Sequence, residues 1–232
     1  MVKRILFIFI LLISSFSFSQ LSKNHYIPPI SSGPSNADPL DQLMYISTPN
    51  QGDVNFTINI VGGNSISGTV SNATPYVYGI ADSGYSSFVQ DPATTSRVTS
   101  DKGYIINADS PIYVSIRLNA GNNAQAGALV SKGENALGTT FRVGTYDNQG
   151  SPGSNYLNFF SFMATEDNTT VNLTNERVTS GLQIQNAGAQ QFPINNISLN
   201  RGQTYVVAVK PEDTNENRAG LIGTLVSSDK PI

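Results

Sequence analysis

The chain has 232 residues, of which 39% are hydrophobic and 12% are charged, and its formal net charge is −3. The lack of a positive charge excess argues against a nucleic-acid binder that relies on phosphate neutralisation, so no nucleic-acid partner is expected. The absence of Cys excludes disulfides, thiolate zinc sites and Cys nucleophiles. The single His, at position 25, excludes His-rich metal sites and argues against a Ser-His-Asp triad.

The first 19 residues have the pattern of a secretory signal peptide. Lys3 and Arg4 precede an unbroken apolar run at residues 5–13, and Ser17-Phe18-Ser19 supplies the small residues that a signal peptidase reads. The alternative, a buried N-terminal helix, fits poorly with the Pro-rich segment that follows. No later segment approaches the roughly 20 apolar residues of a membrane helix. We therefore expect a secreted or cell-surface protein that packing alone holds together.

Residues 20–42 are rich in Pro, Ser, Gly and Asn, and this composition predicts an extended leader or linker. His25 lies in this segment. The sequence therefore predicts that replacing His25 with Ala leaves the folded part unchanged.

Residues 43–232 show the period-two alternation of half-buried strands, separated by turn-rich stretches. Between residues 54 and 60, for example, apolar Val54, Phe56, Ile58 and Ile60 alternate with polar residues. The same tendency recurs at residues 76–80, 112–118, 141–143, 171–173, 197–199, 205–209 and 221–226. No stretch after residue 19 has a convincing helical period, so the fold class is all-β.

An internal repeat underlies this pattern. Residues 54–57 match residues 171–174, residues 70–80 match residues 199–209, and residues 103–112 match residues 223–232, at offsets of 117, 129 and 120. The predicted organisation is two tandem antiparallel β-sandwich-like repeats, at 43–147 and 156–232, joined by an exposed connection. A β-propeller-like arrangement is the alternative, although a repeat of roughly 120 residues is long for one blade of about 40–50 residues.

Several motifs occur in a fixed order along the chain. They are Ala108-Asp109-Ser110-Pro111-Ile112-Tyr113-Val114, Leu137-Gly138-Thr139-Thr140-Phe141, Ala164-Thr165-Glu166-Asp167-Asn168-Thr169-Thr170-Val171, Leu199-Asn200-Arg201-Gly202-Gln203-Thr204-Tyr205 and Ser227-Ser228-Asp229-Lys230-Pro231-Ile232. Over residues 54–232 the chain resembles the N-terminal domain of IgGFc-binding proteins. Similar modules occur in large bacterial surface proteins with gliding-motility-associated C-terminal sorting domains. The resemblance implies an extracellular binding or adhesion module and brings no catalytic residues. Immunoglobulin binding is not carried over to this chain.

Residue chemistry assigns no catalytic, cofactor or metal site. A glycosidase needs two carboxylates across a cleft, and only Glu166-Asp167 and Glu212-Asp213 with Glu216 form local clusters. The oxygen-rich residues 212–217 lack the order of an EF-hand, which favours a solvated loop over a calcium site. The first hypothesis is a secreted adhesion or binding module for an extracellular protein or glycan. A ligand-free structural spacer and a carbohydrate-active enzyme are the alternatives.

The second repeat reaches Ile232 at a bend that the first repeat passes through. Asp109-Ser110-Pro111-Ile112 leads directly into the alternating residues 113–118, whereas Asp229-Lys230-Pro231-Ile232 is the last motif of the sequence. We expect the second repeat to be C-terminally incomplete and the polypeptide of a larger surface protein to continue beyond Ile232.

The signal peptide should be removed on export, with cleavage after Ser19. Intact-mass measurement of the exported protein should show a chain that begins at Gln20. An exported protein that retains Lys3 and Arg4 would contradict this assignment.

Overall fold

The computed structural model describes residues 20–31, 39–120, 126–146, 158–176, 181–188, 191–210 and 214–232. Strands make up 52% of the described residues and helix 6%, which confirms the all-β prediction. The expected signal peptide and the expected connection at residues 147–156 lie outside the described residues.

The strands are short, apart from one, and follow each other with few helical interruptions. They are β1 (Ser22–Ile27), β2 (Ile30–Ser31), β3 (Pro39–Ser47), β4 (Val54–Ile60), β5 (Ser65–Val70), β6 (Tyr76–Ala81), β7 (Val89–Gln90), β8 (Val98–Thr99), β9 (Tyr104–Ala120), β10 (Ala126–Ser131), β11 (Thr140–Arg142), β12 (Phe159–Met163), β13 (Thr169–Thr174), β14 (Ile194–Leu199), β15 (Thr204–Ala208) and β16 (Leu225–Ser228). Two 3-10 turns, Pro92–Thr94 and Gly133–Ala136, and one helix, α1 (Asn215–Ala219), complete the described elements.

The 17-residue strand β9 organises the first unit. Its first half pairs with β1 and β4, and its second half pairs with β3 and β10. Pro111 lies between the two halves and has no N–H for a ladder. Here β9 leaves one sheet, ordered β1-β9-β4-β5, and enters another, ordered β10-β9-β3-β6.

The inward side chains of both sheets form one core. Phe56 and Ile58 come from the first sheet, and Met44, Ile46 and Ile116 come from the second, and all five are buried. This arrangement confirms the sandwich-like prediction for the first unit.

The second unit contains a separate core and two further sheets. One sheet is ordered β11-β16-β13-β14, and the other is ordered β12-β15-β8. Val171 and Leu173 of β13 and Val207 of β15 are buried in this core.

Strand pairing shows that the two units share one plan. Val54 pairs with Val70, and Thr169 pairs with Leu199. Ile58 pairs with Ile106, as Leu173 pairs with Val226. The offset of 129 between residues 70–80 and 199–209 therefore holds, as does the offset of 120 between residues 103–112 and 223–232. Strand β4, however, corresponds to β13 at an offset of 115 instead of 117. A shift of two residues keeps every side chain on its face, which is why the sequence pattern did not reveal it.

Residues 22–27 belong to the first unit, which corrects the leader interpretation. Asn24 pairs with Asn107 in the first unit, as Thr140 pairs with Ser227 in the second. Strand β1 is thus the counterpart of β11. The prolines lie at the ends of these strands: Pro28 and Pro29 follow β1, and Pro39 begins β3.

The connection between β6 and β9 reaches from the first unit into the second. Its strand β8 pairs with β15, and the hydroxyls of Thr99 and Thr204 share a buried hydrogen bond of 2.7 Å. Ser96 N–H donates to the carbonyl of Val206 at 2.8 Å. The third strand of the second unit's smaller sheet is therefore supplied by the first unit.

Gly103 marks the return of this connection to β9 and should not tolerate a side chain. Its φ is +98°, and an added Cβ would lie 2.6 Å from the carbonyl oxygen of Ile27. We expect Gly103→Ala to lower the free energy of unfolding by about 2 kcal/mol because of strain and the clash. Urea denaturation measures this.

Gly52→Ala is the matched control, because an added Cβ at Gly52 meets nothing within 4 Å. Its free energy of unfolding should stay within about 0.5 kcal/mol of the native value. Equal losses in the two variants would contradict the assignment of a special role to Gly103.

Candidate functional site

The motifs at Asp167 and Asp229 lie side by side and stabilise turns. The carboxylate of Asp229 accepts a hydrogen bond from Thr170 N–H at 2.7 Å. The carboxylate of Asp167 accepts from Arg201 N–H at 3.0 Å, and the Lys230 ammonium donates to the Asp167 carbonyl. Asn168 has a φ of +55°, as a tight strand entry requires. The polar groups of these motifs are used within the fold.

Of the oxygen-rich residues 212–217, the structure describes residues 214–217. No group of three or more His, Asp or Glu within them could hold a metal ion. Glu212 and Asp213 lie outside the described part of the chain. Asn217 is buried; its side-chain carbonyl accepts from Gln183 N–H at 3.0 Å and its amide donates to the Lys210 carbonyl at 3.3 Å. That Asn therefore holds two chain segments together.

His25 is fully buried where β1, β9 and β10 meet. Its Nε2 lies 3.1 Å from the carbonyl of Ile112 and 3.2 Å from that of Ser22, and its Nδ1 lies 2.8 Å from the Ser131 hydroxyl. Since carbonyls only accept, Nε2 carries the proton and Nδ1 accepts from Ser131. Burial lowers the pKa of His25, against smaller opposing effects of the two carbonyls and Glu134. His25 is thus a neutral structural residue.

The expectation that His25 can be replaced without effect assumed an unfolded leader, and the structure contradicts that premise because residues 22–27 form a paired strand. We now expect His25→Ala to leave a cavity and two unpaired polar partners. The free energy of unfolding should fall by about 2 kcal/mol or more. Thermal or urea denaturation measures this loss, and an unchanged stability would show that β1 does not hold the sheet.

The lowered pKa also predicts a dependence of stability on pH. Between its folded pKa and the ordinary value of 6.5, the unfolded chain binds a proton that the folded chain does not. Stability contributed by neutral His25 is therefore complete above pH 6.5 and declines as the pH falls below it. Melting temperatures between pH 7.5 and 5 should decrease in the native chain. The decrease should be smaller in His25→Gln, which keeps polar atoms but does not titrate.

One sheet of the first unit presents an uncovered surface, which we call the outer face. It is formed by the outward residues of β10, β9, β3 and β6. Val130 pairs with Ser115, Ser115 with Tyr45, and Tyr45 with Val77, so these four residues form one row across the sheet. Val77 is 49% exposed and Val130 is 48% exposed, so about half of each residue is open to solvent.

The outer face combines apolar and aromatic groups with little charge. Exposed Tyr113 lies beside the row, on the same strand as Ser115, and the charged residue Arg117 lies on the other side of Ser115. Tyr side chains offer a large contact area and a hydroxyl at low cost in conformational entropy. Such a flat surface suits contact with a protein or glycan better than chemistry on a small substrate.

A second candidate is a cavity of about 540 Å³ beside β12, which we call the β12 groove. All five residues of β12 line it, on an edge of the three-stranded sheet β12-β15-β8. The other walls are largely apolar and come from both units; they include Ile27, Leu129, Phe141, Val143, Val226 and Ile232.

Sequence reasoning missed both surfaces for identifiable reasons. The apolar-polar alternation of Tyr113 to Leu118 identified a strand, but not that its outward residues align with Tyr45 and Val77. Strand β12 was not predicted, because Phe159-Phe160-Ser161-Phe162 does not alternate.

Comparison with known proteins gives one family match. Residues 126–232 match the family model described as IgGFc binding protein. This confirms the predicted resemblance over that range. Searches of the curated proteins and of the solved structures found no match. Within the described residues, no helix is long and apolar enough to cross a membrane.

Proposed function

We propose, from the similarity of residues 126–232 to the IgGFc-binding family, that this chain is an extracellular binding module. The module is exported by residues 1–19 and belongs to a larger cell-surface protein that adheres to an extracellular protein or glycan. The proposal includes no catalytic step. The family's name describes what other proteins bind, so the ligand of this chain is left at the level of protein or glycan.

The outer face is the observation that carries the proposal. A row of Val130, Ser115, Tyr45 and Val77 crosses four strands; Val130 and Val77 are exposed, and Ser115 and Tyr45 between them are half-buried. Exposed apolar residues in one continuous row mark interaction surfaces more often than scattered ones do. Rigid strands also fix the side chains before binding, which reduces the entropy lost on association.

A ligand-free spacer is the second candidate. The transfer of β8 from one unit to the sheet of the next favours it, because this pairing joins the units directly. A spacer, however, has no need of an uncovered apolar row. The two candidates therefore differ in what the outer face does.

Arrays of extracellular matrix proteins and glycans, probed with the exported chain, should give reproducible binding to one ligand class. Tyr45→Ser combined with Val77→Ser should then weaken that binding by about tenfold or more, as expected for central contact residues. Tyr146→Ser is the matched control, because Tyr146 is an exposed aromatic residue outside the four strands of the outer face.

Three results would contradict the proposal. Absence of binding to every member of the arrays would favour the spacer. Equal losses in the double variant and in Tyr146→Ser would exclude the outer face as the binding surface. Hydrolysis of chromogenic glycosides that a single carboxylate substitution abolishes would establish an enzyme instead.

A further inference from the structure

The two units differ in one sheet. In the first unit, β3 lies between β6 and the second half of β9, and β10 extends that sheet. The counterpart of β3 in the second unit is β12. It pairs with β15 at the register at which β3 pairs with β6, since Phe162 pairs with Tyr205 as Ile46 pairs with Tyr76. On its other side β12 has no strand partner among the described residues. The β12 groove lies on that side.

The backbone of β12 is arranged to accept a strand from the groove. Val209 N–H donates to the Asn158 carbonyl, and Ala164 N–H donates to the Gln203 carbonyl. In an antiparallel ladder this alternation continues through Phe160 and Phe162, whose N–H and C=O groups face β15. The N–H and C=O groups of Phe159, Ser161 and Met163 therefore face the groove. Their counterparts in β3 pair with β9.

The path of the chain leads to the groove. Ser22 pairs with Ile112 in the first unit, and Gly138 exchanges two backbone hydrogen bonds with Ile232 in the second. Ile232 is thus the counterpart of Ile112, after which β9 continues directly into its pairing with β3. Ile232 also lines the groove.

The walls of the groove define the kind of strand that fits. Phe160, Val226 and Leu129 present apolar groups to it. In the first unit the strand at this place buries Val114 and Ile116, and polar Ser115 and Arg117 lie on the opposite face. A complementary strand therefore alternates apolar and polar residues over about three or four pairs.

We propose that the β12 groove is a strand-acceptor site, filled by one extended strand of the same polypeptide that enters directly after Ile232. That strand pairs antiparallel with β12 through Phe159, Ser161 and Met163, and its apolar residues complete the second core. The site is a feature of the second unit alone, since β9 already occupies its counterpart in the first.

The test uses the chain's own strand as a probe. A copy of residues 113–131 is appended directly after Ile232, so that the second unit receives the strands that the first unit has. Hydrogen exchange at the amides of Phe159, Ser161 and Met163 should slow by about tenfold or more. Exchange at Phe160 and Phe162 should change less, because these amides already bond to β15. The melting temperature should rise by about 4 °C or more.

Two controls separate strand pairing from a general effect of added residues. An appended copy with Ser at the positions of Val114, Ile116 and Leu118 should give neither protection nor stabilisation. Ser161→Pro removes an N–H that faces the groove while leaving the ladder to β15 intact. It should leave the 232-residue chain folded and abolish the gain from the appended copy.

Two outcomes would overturn the proposal. An appended native copy that leaves exchange at Phe159, Ser161 and Met163 unchanged would show that the groove accepts no strand. A 232-residue chain that is dimeric, with these three amides already protected, would show that a second copy fills the groove.

Discussion

The continuity of β9 across two sheets is the constraint on which the first unit depends. A single strand of 17 residues pairs with four others: β4 before Pro111, β3 and β10 after it, and β1 on both sides of it. Because one backbone serves both ladders, the register of one sheet fixes that of the other, and a slip would expose the whole row of Ile106, Ile112, Val114 and Ile116. Burying each of these side chains contributes roughly 1.5–3 kcal/mol. The sandwich is therefore specified along one strand.

The two units carry different residues at an equivalent buried position, according to the hydrogen-bond partners present there. His25 and Phe141 occupy equivalent places, since they pair with Ile106 and Val226. In the first unit, Ser131 of β10 and the carbonyl of Ile112 satisfy both ring nitrogens. A polar residue is compatible with burial there because β10 supplies its partner. The second unit has no described counterpart of β10, and an apolar ring stands in the same place.

The sequence predicted the all-β class and about half of the described strands, since alternation records which face of a strand is buried. The turns at Asn168 and Gly202 have positive φ angles, and such unusual backbone conformations restrict residue choice. Composition did not predict strand β1 at residues 22–27, because that strand lies beside a Pro-rich segment. Alternation did not predict β12, because its consecutive Phe residues interrupt the two-residue period of a strand. Both candidate surfaces depend on register across strands distant in the chain, which no local pattern records.

The pairing of β8 with β15 makes the two units unequal. The first unit contributes a strand to the second, through the long connection between β6 and β9. At the corresponding place after β15 the second unit has a shorter connection, whose described part forms helix α1 and no strand. The exchange is consequently one-way, and the units are not interchangeable. A pulling force applied to the second unit would be transmitted to the first through β8. The two units would therefore resist extension together and would not unfold independently.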